Sequence, residues 1–250
     1  MKKITNIILI IIIFVCFGKV SFKYYQYYKD SKVYSTIQNF KPFVNTNNDI
    51  GSKDRNKEYK SKEEELLSIN DDYKMWITID NTNIDYPVVQ YIDNNFYLNH
   101  DFNKEKNISG TLFIDSNNDI DVDKNMIIYG HHMKNKTMFH NLNYFKKENF
   151  FNKNKINIIR EGKEYIYEPF SAYVISKDKA IFNMSFSNDD EYKGYIEDLS
   201  NKSYFNRDIN LDKDSEIVTL ITCSYEYNGA RTVVHGIRYK WRQQLNLAMI

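Results

Sequence analysis

Chain breakers are scarce in this sequence: 8 glycines and 3 prolines in 250 residues. So few leave little room for long flexible loops and predict a compact, well-packed domain with short turns. An excess of one charge is also missing. Lys plus Arg is 34 and Asp plus Glu is 33, a net charge of +1. No basic excess points to nucleic acid and no acidic excess to a disordered tail. Cysteine is nearly absent, with Cys16 and Cys223 alone. Cys16 lies inside an N-terminal apolar run, so the two cannot bridge within one molecule. What the chain does have is aromatic bulk, 21 Tyr and 16 Phe. Its length suits one membrane segment and one domain with its own core.

The N-terminus carries two lysines before the apolar run Ile7 to Phe17. Positive charge followed by an apolar run is the pattern of a secretory signal. No small-x-small cleavage site follows. Lys19, Lys23 and the cluster Tyr24-Tyr25-Gln26-Tyr27-Tyr28 come next, which suits a membrane interface. The expectation is an uncleaved signal-anchor over 1–28, amino end inside. A polar linker over 29–57 and a folded domain over 58–250 complete the division.

Within that domain, Glu58 to Ile69 reads as an amphipathic helix. Strand patterns follow at Met75–Ile79, Ile84–Gln90, Gly110–Asp115, Asn125–Tyr129, Lys155–Arg160 and Tyr165–Ile175. Pro87 predicts an edge or a bulge. Met138–Lys146 and Asp189–Leu199 read as helices, the second with Tyr192, Tyr195, Ile196 and Leu199 on one stripe. Ile217–Tyr239 reads as two strands joined by a turn at Asn228-Gly229. Many short strands without βαβ alternation predict a mainly β barrel or sandwich with peripheral helices.

The last hairpin carries the chemistry. Cys223 ends its first strand and Arg231 opens its second, so a turn of this length sets a thiol beside a permanent cation. Tyr129-Gly-His-His-Met133 follows another buried strand and places a histidine at a rim. A thiolate and an imidazolium are what thiol acyl transfer needs, and a guanidinium suits a developing oxyanion. Spacing alone leaves open that the three are unrelated. His100 and His140 read as surface or packing residues, and His235 as a satisfied histidine in the last strand. His131, His132 and His140 lack a carboxylate or cysteine at ligand spacing, so neither a metal nor a cofactor is expected.

In this order the motifs resemble the sortases. Thr219-Leu-Ile-Thr-Cys223, with Arg231 eight residues on, is similar to their TLxTC…R signature, and Tyr129-Gly-His131 to their histidine motif. Asp72–Ile77, Asp85–Gln90, Asp93–Leu98 and the helix Asp189–Leu199 resemble class B members in particular. The resemblance spans about Glu58 to Trp241. It implies an eight-stranded sortase-type β-barrel behind an N-terminal transmembrane helix, on the outer face of a Gram-positive membrane. It implies a cysteine transpeptidase that cuts an NPxTN-like or related sorting signal after threonine. The acyl group of the surface protein then passes to a peptidoglycan amine. Cys223 matches the family's nucleophile, His131 its general acid and Arg231 its oxyanion cation. His132 is a neighbour whose loss is expected to be mild. Substrate-groove positions fall on Asn94, Leu98, Ser176, Ile181, Ile221 and Ser224. Ile221 stands where a serine is common and Ser224 where an acid occurs, so specificity is expected to differ.

Three other readings compete. A pilin-polymerising sortase often has a second membrane span, and Trp241–Ile250 is too short for one. A membrane-tethered binding module with an inert barrel would not need Cys, His and Arg together. A papain-like protease has its cysteine before its histidine, the reverse of this order.

Overall fold

The β-branched and aromatic runs close on one another as a barrel. The computed structural model describes residues 2–42, 62–209, 211 and 215–238. Its strands are β1 (Tyr73–Ile79), β2 (Asp85–Val89), β3 (Leu112–Ile114), β4 (Asn125–Tyr129), β5 (Ile156–Arg160), β6 (Lys163–Ser176), β7 (Glu216–Cys223) and β8 (Ala230–Arg238). They are ordered β1-β2-β3-β4-β7-β8-β6-β5, with β5 pairing back to β1. Two neighbour pairs, β2–β3 and β4–β7, run parallel. Pro87 has a strand partner, Trp76, on the β1 side only, because the ladder to β3 begins at Val88. A closed barrel thus accommodates proline where one edge is locally unpaired.

Strand β7 shows why its sequence is almost wholly apolar. Val218 and Leu220 join Met75, Ile77, Val88, Ile114, Ile128 and Val234 in one core. Ile217 and Ile221 join a second core with Ile127, Val233 and Ile237. A strand buried on both faces reads as a continuous run, not an alternation. The second core is roofed by helix α4 (Asp189–Asn201), through Tyr192, Ile196 and Leu199. That helix starts at Asn188, whose side chain accepts from the Glu191 N–H at 2.9 Å. Three acids in its first turn complement the helix dipole.

The stretch over Met138–Lys146 is a 3-10 helix, Phe139–Lys146, rather than an α-helix. A short α-helix, Glu148–Lys153, follows it. The helix read over Glu58 to Ile69 is present over 62–69 within the described residues.

The N-terminal helix α1 (Lys2–Ile37) corrects the linker reading. Its first part is apolar and exposed, from Ile4 to Phe22. Beyond residue 28 it does not give way to a linker; it continues as helix and docks on the barrel. Asp30, Tyr34 and Ile37 are buried, spaced four and three residues apart and so on one face. Asp30 accepts from Ser109 Oγ at 2.5 Å, and the Tyr34 hydroxyl bonds the Gly110 carbonyl and Thr111 Oγ1, the latter at 3.2 Å. Polar neighbours hide this three-residue stripe in the sequence. The rest of the linker, from 43, lies outside the described residues.

Candidate active site

Three strand ends meet at one rim. Parallel pairing of β4 with β7 sets Tyr129 beside Ile221. One further ladder bond, Gly130 N–H to the Ile221 carbonyl at 3.1 Å, carries the β4 chain level with the end of β7. Only glycine fits at 130. A Cβ there would lie 2.3 Å from Leu112 Cδ2 and 2.7 Å from the Phe139 ring. The chain then releases His131 at the rim. Antiparallel pairing of β7 with β8 makes Arg231 the direct cross-strand partner of Cys223. The turn between them is the one expected at Asn228-Gly229, with Gly229 at φ +79°. Ala230 N–H donates to the Tyr227 carbonyl at 3.1 Å, and Ser224 N–H to the Ala230 carbonyl at 2.9 Å.

Cys223 is a free, half-buried thiol. Among the described residues no carboxylate pairs with Arg231. Its Nη1 donates to the Ala230 carbonyl at 3.0 Å. His131 is half-buried, and its Nε2 lies 2.6 Å from the Leu98 carbonyl. A carbonyl only accepts, so Nε2 carries the proton. Leu98 itself is exposed, in the 3-10 turn Phe96–Leu98.

The other expected groove residues separate into two kinds. Ile181 is fully open to solvent, at 82% exposure, and Ser176 is half-buried at the end of β6. Asn94 is half-buried and accepts from Ser116 N–H through Oδ1 at 2.8 Å. Ile221, by contrast, is buried in the core beneath α4. Ser224 is buried too, and its hydroxyl is engaged by Thr232 Oγ1 at 3.0 Å and Lys146 Nζ at 3.1 Å. Both are buried at the rim, because β7 is covered on both faces up to its end.

Sequence reasoning missed a polar array under Cys223. His132 is buried, and its Nδ1 lies 2.9 Å from the Cys223 carbonyl. Its Nε2 lies 3.0 Å from Asn143 Nδ2, and Asn143 Oδ1 accepts from Thr232 Oγ1 at 3.2 Å. Burial pushes His132 below the usual imidazole range. The bond to the Cys223 carbonyl opposes that shift, and the nearby His140 and Lys146 add to it. Lys146 also pairs with Glu226, which bonds Ser224. Burial alone would raise the Glu226 carboxyl; the Lys146 ammonium and the Ser224 hydroxyl outweigh it and hold it at about 2. The signal for this array in the sequence is only the doubled histidine and the loop bearing Asn143 and Lys146.

His235 and His100 are packed or bonded away from Cys223. His235 is wholly buried, bonded to Tyr173 Oη at 3.0 Å and Thr219 Oγ1 at 2.9 Å, and burial drives it down to about 3. His100 stacks on Phe96 at 4.0 Å.

A thiol, a protonated imidazole nitrogen and an unneutralised guanidinium on three adjoining strand ends suit acyl transfer through a thioester. The sortase domain family model matches residues 77–238. The chain belongs to the sortase family. Within it, the similarity is to class B. Sortase B of Staphylococcus aureus is 35% identical over 167 residues, 66% of this chain and 68% of that relative. Sortase B of Listeria monocytogenes is 31% identical over 192 residues, 75% of this chain and 78% of that one. Among solved structures, a mutant form of Clostridium perfringens sortase B superposes with a TM-score of 0.77 at 40% identity, covering 84% of this chain and 98% of its own. A Staphylococcus aureus sortase B–substrate complex gives 0.72 at 29% identity, covering 85% and 97%. This class B sortase is therefore a cysteine transpeptidase of the cell surface. Its family acts on proteins bearing sorting signals and on cell-wall amines.

Proposed function

We propose that this sortase cleaves a sorting signal after threonine, by way of a thioacyl-enzyme on Cys223, and passes the acyl group to a peptidoglycan amine. The observation that carries this reading is the register that sets Cys223 opposite an Arg231 with no carboxylate partner among the described residues. In the first step the Cys223 thiolate attacks the threonine carbonyl carbon. A C–S bond forms, and the carbonyl π pair moves onto oxygen, where Arg231 donates to it. The C–N bond then breaks, and the His131 imidazolium gives its proton to the departing amine. The acceptor amine attacks the thioester and yields its proton to His131. The C–S bond breaks and the thiolate returns.

The exposed apolar side chains of Leu98 and Ile181 suit an extended peptide, with Asn94 and Ser176 as polar contacts. We assign Ile221 and Ser224 to support of the nucleophile's strand rather than to direct contact. The apolar part of α1 serves as a signal-anchor, with the two N-terminal lysines inside and the barrel outside.

The test uses the full chain in detergent micelles with a panel of fluorogenic NPxTN-like peptides. Products are read by mass with and without an added amine nucleophile. Cleavage after threonine, and ligation to the amine at the same carbonyl, is the expected result. Cleavage elsewhere, or hydrolysis unaffected by the amine, overturns the reading.

A further inference from the structure

The Cys223 carbonyl sits where the sheet runs out of partners. Carbonyls two residues apart on a strand point to the same edge. Ile221 spends its carbonyl on Gly130 N–H, the last bond between β4 and β7. Cys223 is the next residue of that phase. By then the β4 chain has turned away as His131-His132, so no backbone donor continues the ladder. The His132 ring takes that place, with Nδ1 2.9 Å from the Cys223 carbonyl.

The proton positions follow from the partners. The Cys223 carbonyl only accepts, so Nδ1 carries a proton. The Asn143 amide nitrogen lies 3.0 Å from Nε2 and 3.4 Å from Nδ1, off the axis of either ring nitrogen, and so packs against the ring. His132 thus donates through Nδ1–H, and burial disfavours its charged form. The ring packs 4.6 Å from His140 and 4.9 Å from Tyr225, centre to centre. Tyr225 Oη also donates to the His132 carbonyl at 3.3 Å. Asn143 is fixed in turn by Thr232, the residue after Arg231. One imidazole therefore ties together the ends of β4 and β7 and the start of β8, which bear His131, Cys223 and Arg231. The charged groups of this array are Lys146 and Glu226, paired with each other.

We propose that His132 is a positioning residue, which in its Nδ1–H form holds the Cys223 carbonyl and so keeps the Cys223 thiol in register with Arg231 and His131. This rests on the transpeptidase reading above. A nucleophile freed to move by about 1 Å loses on the order of 10²-fold in rate, because the alignment is needed in the transition state more than in binding. The expectation of a mild effect at this position is thereby reversed.

The experiment compares His132→Ala, His132→Asn and Cys223→Ala in the full chain in detergent micelles. An asparagine amide occupies nearly the place of Nδ1–H, so it keeps the donor but has no titrating group. Two readouts are used: kcat and KM on an NPxTN-type fluorogenic peptide, and the alkylation of Cys223 by iodoacetamide at fixed pH. Peptide mapping by mass separates Cys223 from Cys16. His132→Ala should lower kcat by about 10²-fold with KM within about threefold, while Cys223 stays open to alkylation. His132→Asn should restore kcat to within about tenfold of wild type. A kcat in His132→Ala within about twofold of wild type overturns the proposal. So does a His132→Asn that folds yet is as slow as alanine, since the imidazole itself would then be required. If His132→Ala does not fold, Asn143→Ala replaces it. A kcat loss of about fivefold at constant KM then supports the proposal, and a loss under about twofold overturns it. Activity persisting in Cys223→Ala would sink the transpeptidase reading itself. An inactive Cys223→Ala beside a fast His132→Ala sinks only the role of His132.

Discussion

Strand β8 carries an arginine at each end, and the two have opposite surroundings. Arg238 faces Glu216 across the hairpin and pairs with it, and its guanidinium lies 4.6 Å from the Tyr165 ring centre. Its side chain is only 8% exposed. Arg231, seven residues earlier, faces Cys223 and has no carboxylate among the described residues. Residue type and strand are the same. The cross-strand partner decides whether the charge is spent on the fold or left available for chemistry. An ion pair at 231 would lock the guanidinium in place and cancel its field at the thiol.

The largest effect that bears on this contrast is at the partner itself. Cys223→Ala should abolish peptide cleavage while thermal unfolding stays within about 0.5 kcal/mol of wild type, since a rim thiol contributes little packing. Product release near the wild-type rate would leave Arg231 without a thiol to serve.

Next comes Arg231→Ala, with an expected loss of about 3 kcal/mol in transition-state stabilisation, mainly in kcat. Arg231→Lys should recover little, because an ammonium cannot reproduce the planar fork. If lysine recovers most activity, the cation acts on the thiol's ionisation and not on the oxyanion.

Arg238→Ala should do the reverse. Stability should fall by about 2 kcal/mol, as Glu216 loses the Arg238 guanidinium and Tyr165 its cation, while kcat per folded molecule stays unchanged. Denaturant unfolding followed by active-site titration separates the two quantities. A kcat loss matching that of Arg231→Ala would erase the contrast.

The smallest effect belongs to the rim's own ion pair, Lys146–Glu226. The Glu226 carboxyl is held at about 2, below its unfolded value of about 4.3. A depressed carboxyl contributes stability that is present above the unfolded value and lost as pH falls toward about 2. Glu226 is 43% exposed, so solvent screening reduces the contribution to at most about 1 kcal/mol. Glu226→Gln should lower stability by at most about 1 kcal/mol above about pH 4.3 and flatten the acid limb between there and about 2, where the two curves meet. An acid limb identical to wild type would show that the pair has no net effect.

Much of this was legible beforehand, for local reasons. Strand runs, the α4 stripe and the Asn228-Gly229 turn each depend on residues close in sequence, and all three are found. The TLITC…R hairpin needs only its own turn to bring Cys223 opposite Arg231. The 3-10 form of Phe139–Lys146 was not legible, because apolar spacing does not separate it from an α-helix over so short a stretch. Nor was the docking of Asp30, Tyr34 and Ile37, whose partners Ser109, Gly110 and Thr111 lie some eighty residues away in the chain.

By itself, then, the sequence determined the barrel's strands, the exposed apolar run at its N-terminus and the thiol–arginine pair, since each follows from periodicity or from a single turn. The tertiary structure decided the rest. Parallel pairing of β4 with β7 brings the Gly130-His131-His132 segment, some ninety residues from Cys223, to the same rim. Helix α4 covers the outer face of β7 and buries Ile221 beneath it. And the turn of the β4 chain away from β7 leaves the Cys223 carbonyl without a strand partner, so that a histidine side chain must supply the hydrogen bond that the sheet cannot.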